Sequence, residues 1–284
     1  MTRILRVFPR RTSHTPTGPL VAVGEPGLWL PEPTDFDEIH VSVTFTWDVR
    51  RAAGLAEAWE MAYPGRSVLV GGPAVWSPCD SFVPGRYVCP GITYTSRGCP
   101  NRCPWCLVPD WEGPLWTLSD VASGNVVQDN NFLACPRGHR RKVYEMLRDQ
   151  AQVRFQGGLE AGRLTAWDVE RIRGLRLKAV WLACDTPEAI GPLRRAIGLL
   201  AGLGRAKLRC YVLARFDPQE TPDDVEGRCR EVWAAGAMPF VQMYRTHGEK
   251  RKRRWPDEWA PVMRRWSRPA ATKAHMRQVG LVEH

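Results

Sequence analysis

The sequence predicts an α/β protein: a partial (β/α)6 TIM-like barrel preceded by a small truncated α/β (Rossmann-like) domain. Three observations predict it. From Ile92 to about Tyr244 strand-like apolar segments alternate with helix-like ones. Two of the helices announce their starts, at Thr186-Pro187-Glu188 and Thr221-Pro222-Asp223-Asp224, each with a hydroxyl cap, a Pro and acid in the first turn. Ahead of them, residues 1–90 are dense in Pro and Gly but enclose a short βαβ pattern. Strand–helix–strand alternation makes right-handed parallel crossovers, and six strands fall short of the eight of a closed barrel.

In the front domain, Ile39–Thr46 alternates and is β-branched, Val49–Tyr63 is rich in Ala, Leu and Glu and reads as a helix, and Ser67–Pro73 is a short strand running into a turn. This resembles half of a doubly wound domain. The stretch from Pro73 to Pro90 reads as a linker or surface loop. In the second domain, residues 91–244, strands are expected at Ile92–Ser96, Asn125–Asp129, Gln152–Gln156, Leu177–Ala183, Leu208–Leu213 and Met238–Met243. Ile190, Leu193, Ile197 and Leu200 recur at helical spacing, so one face of that helix meets a core. Residues 245–284 form a basic, Trp-rich C-terminal extension.

With 284 residues, 44% hydrophobic and 25% charged, the composition is globular and excludes disordered, collagen-like and coiled-coil readings. No apolar run approaches the roughly 20 residues that cross a bilayer. The basic N-terminal stretch lacks a following apolar segment and cleavage site, so the expectation is a cytoplasmic protein with no membrane partner.

Nine cysteines, an odd number, do not suggest a disulfide framework. Cys79, Cys89, Cys135, Cys184, Cys210 and Cys229 stand alone and read as small buried hydrophobes. The other three lie in Cys99-Pro-Asn-Arg-Cys103-Pro-Trp-Cys106, directly after the first strand of the second domain. Three thiolates in one tight loop can converge on a metal centre. A [4Fe–4S] cluster normally takes four cysteines, so three would leave one iron open. The alternative is zinc, which wants a closed set of four, with Cys89 or Cys79 recruited as the missing ligand.

Cys99-x-x-x-Cys103-x-x-Cys106, after a strand that opens a partial barrel, resembles the radical S-adenosylmethionine (radical SAM) superfamily, in particular members with a degenerate cobalamin-binding-type N-terminal domain. The resemblance spans Ile92 to about Tyr244. It implies that Cys99, Cys103 and Cys106 hold a [4Fe–4S] cluster whose open iron is chelated by SAM. It implies also that an external reductant of flavodoxin or ferredoxin type feeds reductive cleavage of SAM to a 5′-deoxyadenosyl radical, which takes hydrogen from a substrate. On the same ground Trp105, before the third cysteine, is expected against adenine. Asp129, Asn130 and Asn131, at the end of the second strand, stand where the family holds the SAM amine, and an Asx-rich turn is the structural alternative. Gly157 and Gly158 would let backbone approach a ligand, and Glu160 would reach ribose hydroxyls. Asp185 and Arg215 hold similar positions after later strands. His40 reads as structural.

The formal charge is +10, and residues 245–284 hold eleven Lys/Arg against four Asp/Glu. The peak is Glu249-Lys-Arg-Lys-Arg-Arg254, followed by Trp255, Trp259 and Trp266. Basic residues interleaved with aromatics suit nucleic acid, whereas a solvated tail with tryptophans pinning a helix is the structural alternative. A zinc-stabilised nucleic-acid-binding module without catalysis is therefore the rival to an enzyme. The front domain lacks an Asp-x-His-x-x-Gly ligand motif. Reconstitution with hydroxocobalamin and gel filtration is accordingly expected to return protein without cobalamin, and a stoichiometric cobalamin spectrum in the protein peak would overturn that expectation.

Overall fold

The computed structural model describes residues 2–280 apart from 29, 76, 78, 80, 81 and 247–254. The chain divides into two compact units, one built on Met1–Ile92 and one on Thr93–Arg245 with the C-terminal helices.

The first unit is a four-stranded parallel sheet of β1 (Ile4–Phe8), β2 (Val21–Val23), β3 (Glu38–Ser42) and β4 (Ser67–Gly71), in the order β2-β1-β3-β4. Leu5 and Val7 from β1 and Ile39 and Val41 from β3 are buried against Ala52, Leu55 and Trp59 of α1 (Val49–Ala62), whose i, i+3, i+7 spacing aims one stripe at the sheet. The sheet has two strands more than the sequence suggests. The two additional strands, β1 and β2, are short, at five and three residues. His40 is fully buried, with its ring nitrogens bonded to Tyr87 (2.6 Å) and Glu38 (3.0 Å), a structural role as expected.

The second unit is mixed α/β on a six-stranded sheet of order β12-β11-β10-β9-β8-β5, with parallel pairings. In chain order it runs β5 (Ile92–Thr93), β6 (Ser96–Arg97), α2 (Val108–Trp111), β7 (Trp116–Thr117), β8 (Val126–Val127), α3 (Arg137–Arg148), β9 (Val153–Leu159), α4 (Ala166–Arg173), β10 (Leu177–Ala183), α5 (Ile190–Leu199), β11 (Leu208–Ala214), α6 (Pro222–Ala234), β12 (Met238–Met243), α7 (Ala260–Trp266) and α8 (Pro269–Gln278). β10 and β12 have the expected bounds. The expected strand Ile92–Ser96 is instead two pieces. Ile92–Thr93 joins the sheet, while Ser96–Arg97 pairs antiparallel with β7, because the Asp129 carboxylate draws the backbone N–H groups of Thr95 and Ser96 out of the ladder.

Alternate residues of β10 and β11, among them Val180, Leu182, Leu208, Cys210 and Val212, bury one face against Leu193, Ala196 and Ile197 of α5 and Val225, Cys229 and Val232 of α6. Fully burying a side chain of this kind contributes about 1.5–3 kcal/mol. Thr221 caps α6 reciprocally with Asp224, as its sequence indicates, and Thr165 does the same for α4 with Asp168. Thr186 instead opens a 3-10 turn, and α5 starts at Ile190. The C-terminal helices are not a separate extension. Trp259, Val262, Met263, Trp266 and Met276 are part of the core of the second unit. Among the described residues no helix is long and apolar enough to cross a membrane.

Of the six isolated cysteines, Cys135, Cys184, Cys210 and Cys229 are buried, and Cys79 and Cys89 are half-buried. Burial pushes the thiols of Cys135 and Cys184 up to about 11, and those of Cys210 and Cys229 further in the same direction. A thiol reacts as its thiolate, so these four stay inert at neutral pH. Mass-spectrometric mapping of iodoacetamide labelling should leave them unmodified in folded protein and reach all nine cysteines in denaturant.

Candidate metal centre

The loop carrying the three cysteines leaves β6 and returns through α2 to β7, so the β6–β7 pairing closes its base. Gly98 makes the closure possible. Its φ is +72°, and a Cβ there would lie 2.2 Å from the carbonyl oxygen of Pro114. Within the loop the Cys99 N–H donates to Gly113 O (3.3 Å) and the Cys106 N–H to Cys103 O (3.0 Å). All three thiols are free and half-buried. Cys103 is pushed up by burial and then by Cys106, Cys99, Asp185 and Glu160. Cys106 is pushed up by burial, against the Val108 N–H bond, and by Cys99, Glu112 and Asp185. The thiols therefore feel one another and a surrounding set of carboxylates, and a cation among them would reverse that cost. Among the described residues no three His, Cys, Asp or Glu side chains are drawn tightly enough together to hold a single metal ion.

Two acids hold this loop in place. Asp129 is buried, and both its oxygens are occupied: Oδ1 by the N–H groups of Thr95 (2.6 Å) and Ser96 (3.1 Å), Oδ2 by the Thr95 hydroxyl and the Ser96 hydroxyl (2.9 Å). Burial raises its pKa and these bonds oppose the rise. His139 Nε2 lies 3.1 Å from Thr95 Oγ1 on the far side of that hydroxyl. Glu112, at the end of α2, accepts from the Gly98 N–H (3.0 Å), from Arg97 and from the Asn130 side-chain amide. Asp129 and Asn130 thus turn toward the protein.

Asn131 and Glu160 stand differently. The Asn131 side-chain N–H donates to Glu160 Oε2 (2.7 Å) and lies 3.6 Å from Cys99 Sγ. Asn101 (3.0 Å) and Arg163 Nε (2.6 Å) donate to the same Glu160 oxygen. Burial pushes Glu160 up, but the three hydrogen bonds and the Arg163 charge outweigh it and hold the carboxyl below its ordinary value. Asn131 Oδ1 is buried and has no hydrogen-bond partner among the described residues. Among the described residues no donor reaches Glu160 Oε1. The structure brings Asn131, Glu160 and Cys99 together.

The remaining expected positions are engaged by the protein's own groups. Trp105 is half-buried, edge-on to Phe216 (5.4 Å between centroids), which is edge-on to Tyr244 (5.0 Å). Gly157 is required by the protein itself, since a Cβ there would lie 2.1 Å from the carbonyl oxygen of Asp129, and Gly158 takes φ +97° beside it. Asp185 accepts from the Leu213 N–H (3.1 Å) and is raised by burial, against that bond and Arg228. Arg215 is exposed and its N–H donates to Glu220 (2.7 Å). Glu112, Asn101 and Arg163 were not marked by the sequence. For Glu112, an acid six residues past the last cysteine is the one signal that could have found it.

No protein-family model matches this chain, and no curated protein matches it in sequence. The geometry predicts that Asp129→Ala, which strands four donors in a buried site, costs about 1–3 kcal/mol. Thermal unfolding of the variant should fall by roughly 2–10 °C. An unchanged midpoint would remove Asp129 from this role.

Proposed function

We propose that this chain is a radical SAM enzyme, with its six-stranded parallel sheet forming a partial (β/α)6 barrel. The observation that carries the proposal is the buried Asn131 Oδ1, without a hydrogen-bond partner among the described residues, on a side chain whose N–H group lies 3.6 Å from Cys99 Sγ and donates to Glu160, whose Oε1 is left open. Two acceptors lacking donors suit a ligand that brings N–H groups, and the SAM ammonium does so. The three cysteines also fit a cluster. Three cysteines in one loop suit a cluster with one open iron, whereas a closed structural zinc site takes four ligands.

In this reading Cys99, Cys103 and Cys106 hold a [4Fe–4S] cluster, and Asn131 and Glu160 take the amine end of SAM. When bound, cluster and SAM supply hydrogen abstraction by reductive cleavage of the sulfonium, fed by an external flavodoxin- or ferredoxin-type reductant. Trp105 offers an indole face or edge to the adenine. Asp129, Asn130 and Glu112 fix the loop and do not touch SAM. Burial of the three thiols restricts water at the centre, and Asn101 and Arg163 keep Glu160 ionised as the partner of a cation.

The alternative, a zinc-stabilised nucleic-acid-binding module, loses one of its supports. Trp259 and Trp266 are buried in the core and offer no face to a base, and Trp255 lies under Arg245 (5.1 Å). The basic peak at 249–254 lies outside the described residues.

Replacing Cys99, Cys103 and Cys106 together by Ala should abolish iron binding, the brown colour of anaerobically reconstituted protein and dithionite-dependent formation of 5′-deoxyadenosine. A colourless wild-type protein with stoichiometric zinc would select the alternative. Asn131→Ala should keep its iron and lose SAM affinity by about ten- to a hundredfold, the value of one charge-assisted hydrogen bond. Unchanged affinity in calorimetry would return Asn131 to a structural role.

A further inference from the structure

We infer that the cationic surface of α3 and α4 docks the phosphate backbone of a nucleic-acid strand, which makes a nucleotide the substrate class. The inference deepens the radical SAM reading and rests on it for the chemistry, though not for the binding. From Arg137 to Lys142 the chain carries Arg137, Arg140, Arg141 and Lys142 with no acid among them. Arg140 is spent on Asp168, with bonds of 2.6 and 2.8 Å. Arg137 and Arg141 are exposed and pair with no carboxylate among the described residues. Among the described residues the Lys142 ammonium reaches only a neutral acceptor, Ser119 O. Besides Asp168, which Arg140 occupies, Glu145 on α3 and the exposed Glu170 on α4 are the opposing charges on these helices, and Glu170 reaches Arg171 at 3.4 Å.

What organises the patch is Trp167, the second residue of α4. The guanidinium of Arg171 lies 3.8 Å from the centre of its ring and that of Arg137 4.7 Å, with Arg140 at 5.4 Å. A guanidinium resting on an indole is held in place, so little freedom is lost when it closes on a phosphate; the Arg171 Nη1 already donates to Trp167 O (3.1 Å), which fixes it further and leaves its other N–H groups for a ligand. Trp167 is itself braced from below by Tyr144, ring centroids 5.8 Å apart.

Position links the patch to the candidate centre. α3 and α4 follow the carboxyl ends of β8 and β9, with Arg137 six residues beyond Asn131 and Trp167 seven beyond Glu160. A strand held there by its phosphates lies along the edge that carries the cysteine loop, and a base must leave its stack to reach a buried reactive centre. A lipid surface fits less well. The exposed large apolar side chains of the described residues all lie outside α3 and α4, so the patch has charge without an anchor.

The test is fluorescence anisotropy of the full-length protein with short single-stranded RNA, the DNA of the same sequence, and anionic phosphatidylglycerol vesicles, each across a salt series. R137Q/R141Q/R171Q should weaken strand binding at least tenfold and lower the slope of log affinity against log salt by about 2, near 0.7 for each phosphate no longer neutralised. The RNA and DNA arms identify which strand is preferred. K250Q/R251Q/K252Q/R253Q/R254Q should retain most of the affinity. Absence of wild-type binding at low salt, a triple variant that binds like wild type, or vesicle binding that falls in parallel with strand binding would each overturn the proposal. The triple variant should form 5′-deoxyadenosine at the wild-type rate. The variant lacking Cys99, Cys103 and Cys106 should still bind the strand, so the docking surface and the metal chemistry fail or stand separately.

Discussion

The carboxylate of Asp129, sealed from water at the end of β8, takes two backbone N–H groups and two hydroxyls from Thr95 and Ser96. Burying a carboxylate is expensive unless such donors surround it, and here all of them come from the two residues that precede the cysteine loop. The chain is consequently pulled away from β5 and redirected into the ribbon with β7. Glu112 completes the turn from the opposite end of the loop by gripping Gly98 and Arg97. Without this pair of acids the loop would have its cysteines and its glycine but no fixed direction.

The parts legible in the sequence are those governed by local pattern. Leu177–Ala183 and Met238–Met243 are short apolar runs bounded by polar residues and glycine, and such runs have little alternative to a buried parallel strand. The Thr221–Asp224 cap is equally local. Illegible were features that depend on distant partners. Thr95 would have continued the first strand but for a carboxylate 34 residues away. Gly157 looks like an opening for a ligand until the carbonyl of Asp129 is seen against it.

The candidate site divides along the same line. Cys99, Cys103 and Cys106 are marked by their spacing, and Asn131 and Glu160 by their place after strands. Which of three successive Asx residues is left with an unused acceptor was not readable, because it depends on Glu112 and on the hydroxyls of Thr95 and Ser96. Tryptophan was misleading as a surface signal in the C-terminal segment, where Trp259 and Trp266 are core residues. On α4, Trp167 works with arginine in a way that only the packing of two helices reveals.

The bonds that shape the cysteine loop run entirely between protein groups: Asp129 to Thr95 and Ser96, Glu112 to Gly98, Cys99 to Gly113. Small zinc domains are the opposite case, folding only as the metal binds. The loop is held by the polypeptide's own groups, so any metal it takes would meet a shape already set around three half-buried thiols.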